Sequence, residues 1–338
     1  MYRFQRMDEL EATRAGLKKV VNAVPDDLSS PVLALAPDIS QAVFRVAPEK
    51  AERLQAILDN VRLVFKTDDG AFDFSAGPAE SGKRSIFASV GALNALWCAS
   101  YAYWLLYCGC VGAQRAGRSE FQPRHDPNLI QALQLYEWAL SAISRRVLEP
   151  WPEIGPNPLR CSTDASDIRV ANEIFLVAAA WIMLHEIGHI KLKHPVAQVR
   201  VRAKQEEKDA DRFATEWVLS GVADPIMLLK RSLGIAVANI LLLVVDLGRT
   251  ASVVHPSFDT SHPPSYERVH DNLRNDLLAE GHPVHAFATA LLQATLAVFG
   301  VPHNLDLDGT FSTLLDELCI SLSRFNHAQR NQAGRIYE

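Results

Sequence analysis

An apolar stretch at residues 174–195, IFLVAAAWIMLHEIGHIKLKHP, places two histidines and a glutamate within five positions. His185, Glu186 and His189 form the motif H-E-x-x-H, and this spacing puts both imidazoles on one face of a helix. Polar side chains are costly to bury in an apolar helix, whereas a shared metal ion would satisfy both imidazoles. The stretch therefore predicts a buried helix that carries two ligands of a zinc ion.

The segment QEEKDADRFATEW, which begins at residue 205, offers a third ligand. Glu207 and Asp211 lie four residues apart in an E-x-x-A-D pattern, so they share one face of a predicted helix. We predict that Glu207 completes the zinc site, with Glu206 as the competing candidate. Asp211 is then one turn further on, where it can accept the remaining ring N–H of a ligand histidine.

Glu186 directly follows the first ligand and is predicted to be the general base of a hydrolase. Zinc lowers the pKa of a bound water to near neutrality, and Glu186 would take the proton and pass it to a leaving amine. Residues 261–269, SHPPSYERV, offer oxyanion donors, with His262 as first choice beside Tyr266 and Arg268. The alternative is that the two prolines only begin a helix and that Arg268 pairs with an acidic neighbour.

Periodicity predicts an α+β protein that is mostly helical, with a small sheet near its N-terminus. We expect an N-terminal extension (1–40) and one metallopeptidase domain (41–338), divided into a small β-rich lobe (41–80) and a helical core (81–325). In the lobe, AVFRV (42–46) is strand-like, a helix opens at Pro48, and VRLVFKTDDGAFDFSA is predicted to be a hairpin that turns at Asp69-Gly70. Its segment AFDFSA (71–76) is a candidate edge strand for an extended substrate. Helices are predicted at 83–113, 127–148, 166–194, 203–220, 225–248, 264–279, 283–299 and 309–325.

Composition narrows the class of protein. The 338 residues include 34 basic and 39 acidic side chains, a net charge of −5 with neither sign in a long block, so we expect no nucleic-acid partner. Five cysteines, of which only Cys108 and Cys110 lie close together, are typical of reduced thiols in a cytosolic protein. The first 16 residues lack the apolar segment of a secretory signal, and we expect a cytoplasmic protein.

One segment competes with the soluble interpretation. Residues 86–113 contain no charged side chain over a length that can span a bilayer. Serine, asparagine, cysteine, glycine and tyrosine dilute the apolar content that membrane insertion requires. We therefore favour a buried helix, and membrane contact by this segment stays open.

Several motifs, in order along the chain, resemble the Lit-type phage-exclusion peptidases of bacteria. They are FRVAPEK (44–50), VANEIFLVAAAWIMLHEIGHIKLKHP, QEEKDADRFATEWVL, LKRSLGIA, HPPSYERV and LDGTFSTLLDELCISLSR. More distantly, H-E-x-x-H, E-x-x-A-D and H-P-x-x-x-x-R resemble the HtpX and prenyl-protein-processing zinc proteases, which share the gluzincin layout. Both resemblances imply a zincin-like core with His185, His189 and Glu207 as zinc ligands and Glu186 as base.

The closer resemblance also implies a biological role. Lit-type peptidases are abortive-infection proteins that cleave the host elongation factor Tu once a peptide region of a phage capsid protein is bound to it. The resemblance thus implies elongation factor Tu as substrate and a phage-derived peptide as activator.

Two other functions stay open from the sequence. The first is a membrane-associated, HtpX-like quality-control protease in which residues 86–113 are inserted. The second is a non-catalytic sensor or interaction protein that uses zinc structurally. Glu186 argues against the second, since a closed structural site has no use for an unligated carboxylate beside the metal.

Overall fold

The computed structural model describes residues 30–58, 61–66, 70–78, 84–118, 126–159, 166–194, 200–251 and 262–298, with residues 315–317, 320, 321 and 324 near the C-terminus. The helices are α1 (Ala36–Arg45), α2 (Ala51–Leu58), α3 (Val90–Arg115), α4 (Pro127–Arg145), α5 (Asp167–Lys191), α6 (Arg200–Leu219), α7 (Pro225–Ala251), α8 (Ser265–Leu273) and α9 (Pro283–Val298). The strands are β1 (Val61–Lys66), β2 (Phe74–Pro78) and β3 (Arg84–Ser89). Short 3₁₀ turns at Pro31–Leu35 and Pro48–Lys50 precede α1 and α2. The predicted α+β class with a mostly helical chain is confirmed.

Helix α5 lies at the centre of the core. It is apolar on all sides, and its side chains from Ile174 to Gly188 are nearly all buried. It packs against α1, α3, α6 and α7. The polar residues of the H-E-x-x-H motif are therefore held on a largely buried helix.

The sheet differs from the predicted hairpin. The strand order is β1-β3-β2, with β1 parallel and β2 antiparallel to β3, so β1 and β2 do not pair with each other. Asp69 lies outside the described residues. Gly70 lets two backbone segments pass close together, because a Cβ there would lie 2.2 Å from the carbonyl carbon of Val147. Of the predicted edge strand AFDFSA (71–76), only Phe74–Ala76 belong to β2, which lies at an edge of this three-stranded sheet.

The central strand β3 occupies residues that were predicted to begin a helix at residue 83. Helix α3 begins only at Val90, where the side chain of Ser89 accepts a hydrogen bond from the Ala92 amide at 3.1 Å. The boundary between β3 and α3 was missed because both elements are apolar and lie in one uncharged run. The described residues of the predicted 309–325 helix are helical.

The strand predicted at 42–46 is also wrong. These residues end helix α1, which begins near Pro37 and buries Ile39, Val43 and Phe44. Ile39 and Val43 are four residues apart, so the apolar face follows a helical period that the strand-like segment AVFRV concealed. Helix α1 crosses the predicted boundary at residue 40; the division into extension and domain stays a prediction, and residues 1–29 lie outside the described part.

Two described helices are long and apolar enough to cross a membrane, α5 and Pro225–Gly248 of α7. In each, 72% of the most apolar window is buried inside the protein, as in the core helices of soluble proteins. The uncharged run (86–113) ends strand β3 and then forms most of α3, which is buried at most positions between Val90 and Leu106. This burial fits a soluble protein.

Candidate metal centre

Two helices bring the candidate ligands together. Ser166 caps the start of α5 by accepting a hydrogen bond from the Arg169 amide, and the helix continues unbroken through His185 and His189. Helix α6 packs closely against this end of α5, since a Cβ at Gly188 would lie 3.2 Å from the Cα of Ala210 and 3.1 Å from the Phe213 ring. The small residues Gly188 and Ala210 thus set a helix separation at which Glu207 reaches both histidines.

His185, His189 and Glu207 form a compact triangle that can hold a metal ion. The two Nε2 atoms lie 3.1 Å apart, Nε2 of His185 lies 3.3 Å from Glu207 Oε2, and Nε2 of His189 lies 3.4 Å from Glu207 Oε1. Ligand atoms on a tetrahedral zinc ion with bonds of about 2.0–2.1 Å lie roughly 3.3–3.4 Å apart. The spacing and the donor set of two imidazoles and one carboxylate are therefore compatible with zinc.

A second set of contacts lies behind His185. The Nδ1 atom of His185 is 2.7 Å from Asp211 Oδ1, and Arg268 of α8 donates to the same carboxylate from Nε at 2.8 Å and from Nη2 at 2.6 Å. All three side chains are buried. Asp211 thus holds the outer nitrogen of His185, while Arg268 neutralises Asp211.

Glu186 lies beside the triangle without belonging to it. Its Oε1 is 4.0 Å from His185 Nε2. Burial raises the pKa of Glu186 to about 7, with the charge of Glu207 adding to the effect, while His185 and a backbone hydrogen bond from Ala76 in β2 oppose it. A carboxylate with this pKa can accept and release a proton near neutral pH.

The two imidazoles titrate in opposite directions when no metal is bound. Burial disfavours protonation of His185, but the Asp211 and Glu207 carboxylates outweigh it and raise the His185 pKa to about 10. Burial and the charge of His185 lower the pKa of His189 to about 4. Burial would raise the pKa of Glu207, but its hydrogen bond with His185 lowers it to about 2. One proton, held on His185, therefore compensates part of the negative charge of Glu207 and Asp211.

The sequence around this cluster matches a known family. The sequence model of the peptidase U49 family covers residues 86–288, a range that includes the triangle, Glu186, Asp211 and Arg268. The chain belongs to the peptidase U49 family. This U49 peptidase is also 29% identical over 301 residues to the cell death peptidase of Escherichia coli (strain K12). The aligned region covers 88% of this chain and 99% of the E. coli protein. The resemblance to Lit-type peptidases is thereby confirmed, and no solved structure matches the chain.

The three predicted oxyanion donors of this U49 peptidase have different surroundings. Nε2 of His262 lies 3.5 Å from Glu207 Oε1, with 45% of its side chain exposed. Arg268 points at Asp211, with Nη2 3.5 Å from Nδ1 of His185 on the side away from the triangle. Tyr266 packs against the hydrophobic core. The structure thus brings His262 to the open side of the cluster and Arg268 behind it.

Sequence reasoning missed one neighbour of the cluster. His194 lies with its Nδ1 2.9 Å from Nδ1 of His189. Helix α5 ends between His189 and His194, so helical spacing could not predict that the two side chains meet. A histidine just past the end of a metal-binding helix is the signal that was available.

Proposed function

We propose that this U49 peptidase is a cytoplasmic zinc endopeptidase with a zincin-like core, which cleaves elongation factor Tu during phage infection when a phage capsid peptide is present. The observation that carries the chemistry is the triangle of His185, His189 and Glu207 with edges of 3.1–3.4 Å and Glu186 beside it. The target and trigger rest on the similarity to Lit-type peptidases.

Within the proposed site, each residue has one task. A zinc ion held by His185, His189 and Glu207 would polarise a bound water and the scissile carbonyl. Glu186 accepts the proton of the attacking water on its carboxylate and delivers it to the leaving amine. His262, on the open side, donates to the oxygen that becomes negative in the transition state.

The edge of the sheet supports the binding of an extended substrate. The carbonyl of Asp73 accepts a hydrogen bond from the Ser89 amide. Hydrogen-bonded pairs alternate along an antiparallel ladder, so Ser75 and Gly77 also hydrogen-bond to β3. The backbone groups of Phe74 and Ala76 then point away from β3, toward the free edge of the sheet. At this edge the Ala76 amide donates a hydrogen bond to Glu186. A peptide added along β2 would therefore place its backbone next to the proposed base.

The direct test uses purified components. Wild type and Glu186→Gln are incubated with elongation factor Tu, with and without a phage capsid peptide, and cleavage is read on a gel. We expect cleavage by wild type only when the peptide is present and none by the variant. Intact elongation factor Tu in all samples would refute the target, and fractionation of the protein with membranes would favour the HtpX-like alternative.

A further inference from the structure

His194 is in direct contact with the proposed ligand His189. The two Nδ1 atoms lie 2.9 Å apart, and the rings meet edge to face at a centroid distance of 5.0 Å. His194 is partly buried at the carboxyl end of α5. This contact connects the cluster with the end of the helix that carries it.

The backbone holds His194 in this place. Lys193 adopts a left-handed conformation with φ of 59°, which ends the helix and turns the chain back. The His194 amide then donates to the carbonyl of His189 at 3.0 Å, and the Lys193 amide donates to that of Ile190 at 3.2 Å. His194 is therefore tied by its backbone to the residue that its side chain contacts.

The ring of His189 leaves only one nitrogen for an outer partner. Its Nε2 faces the triangle, 3.1 Å from His185 and 3.4 Å from Glu207. Its Nδ1 faces away from the triangle, as Nδ1 of His185 does toward Asp211. Each ligand histidine thus has its own outer partner, a carboxylate for His185 and an imidazole for His189.

We propose that His194 is a positioning residue for the metal centre. Its Nδ1 accepts the Nδ1–H of His189, which fixes the tautomer and ring orientation of His189 and keeps the Nε2 lone pair directed at the metal. The proposal rests on the zinc site proposed above. It adds a residue to the site and gives a role to the left-handed turn at Lys193.

Two substitutions separate this role from a general effect on folding. The Oδ1 of asparagine occupies about the position of histidine Nδ1, whereas the Oε1 of glutamine occupies about that of Nε2. Since the contact uses Nδ1, His194→Asn should keep an acceptor for His189 and His194→Gln should lose it. Lys191→Ala changes an exposed side chain near the same helix end and is the matched control.

The measurement is zinc affinity by competition with a chromophoric chelator, with the absorption spectrum of the Co²⁺ form as a second readout. We expect His194→Ala and His194→Gln to bind zinc about 10-fold more weakly or worse, with an altered Co²⁺ spectrum, while His194→Asn recovers most of the loss and Lys191→Ala matches wild type. Thermal unfolding of the metal-free variants checks that each is folded.

Two outcomes separate the proposals. If wild type binds about one zinc and all four variants bind it equally well, the role of His194 is refuted and the zinc site stands. Equal losses in the asparagine and glutamine variants would also refute it, since Nδ1 would then have no special part. If wild type itself binds no zinc, the proposed zinc site fails.

Discussion

Arg268 and Asp211 form a buried ion pair joined by two hydrogen bonds, from Nε at 2.8 Å and from Nη2 at 2.6 Å. Asp211 in turn lies 2.7 Å from Nδ1 of His185, and the Arg268 guanidinium lies over the Trp181 ring at 6.0 Å. A residue of α8 thereby acts on a candidate ligand of α5 through a residue of α6. Pairing with an acidic neighbour was one of the two roles that the sequence left open for Arg268.

The Asp211→Asn substitution tests this chain of contacts. It removes the charge of the carboxylate to which the buried guanidinium of Arg268 is hydrogen-bonded, and we expect the free energy of unfolding to fall by about 3–5 kcal/mol. Zinc affinity should fall about 10- to 100-fold, because His185 loses its carboxylate partner. Urea denaturation and chelator competition measure the two effects.

A double variant separates stability from metal binding. Asp211→Leu combined with Arg268→Met removes both buried charges and should recover part of the lost stability. It should not recover zinc affinity, since His185 still lacks its acceptor. Recovery of both properties would contradict the positioning role of Asp211.

Glu186→Gln should retain zinc and the fold while peptide cleavage falls by a factor of about 10² or more, because the amide cannot accept the proton of the attacking water. Glu173→Gln is the matched control, since Glu173 lies on the same helix but is 40% exposed and pairs with Lys230. Unchanged cleavage by Glu186→Gln would remove Glu186 from the mechanism.

Gly188→Ala tests the separation of α5 and α6. The added Cβ would lie 3.2 Å from the Cα of Ala210, a backbone atom that moves only with its helix, so Glu207 should shift away from the histidines. We expect weaker zinc binding, measured by chelator competition. Gly112→Ala in α3 meets no atom within 4 Å and should stabilise the protein by up to about 1 kcal/mol through helix propensity, with unchanged metal affinity.

Titration of the metal-free protein gives a prediction with a definite sign. The pKa of His185 is raised from 6.5 to about 10, so its contribution to stability is complete below pH 6.5 and is lost as the pH rises through 10. The pKa of Glu207 is lowered from 4.5 to about 2, so its contribution is present above pH 4.5 and is lost as the pH falls through 2. Stability should therefore fall toward both extremes, as measured by denaturation across the pH range.

Zinc binding should also release a proton. At pH 8 His185 is protonated in the metal-free protein, and an imidazole must lose that proton to bind a metal. We expect release of about one proton per zinc, read with a pH indicator in weak buffer. Above pH 10 His185 has already lost this proton, so the release should decline as the pH rises through about 10. No proton release at pH 8 would contradict the assignment of the proton to His185.

Strong periodicity and side-chain chemistry made much of this structure predictable. The helices from α3 to α9 follow apolar patterns with cap or proline signals at Ser166, Pro127 and Pro225, and their existence was predicted. The spacing within H-E-x-x-H and E-x-x-A-D anticipated which side chains meet, because each pair shares one helix face.

The features that were missed depend on tertiary contacts. The insertion of β3 between β1 and β2 is a non-local pairing that no short sequence pattern indicates. Helix α1 contains most of the strand-like segment AVFRV, and it packs against α5 instead of joining the sheet. His194 reaches His189 only because the chain turns at Lys193 with a positive φ, which a lysine rarely adopts.

The most direct test of the central claim is the zinc content of purified protein, measured by plasma mass spectrometry on wild type, His185→Ala, Glu207→Gln and Glu186→Gln. We predict about one zinc per chain in wild type and in Glu186→Gln, and little in the other two, because each of these lacks a ligand of the triangle. Zinc at the wild-type level in His185→Ala and Glu207→Gln, or none in wild type, would contradict the metal centre proposed here.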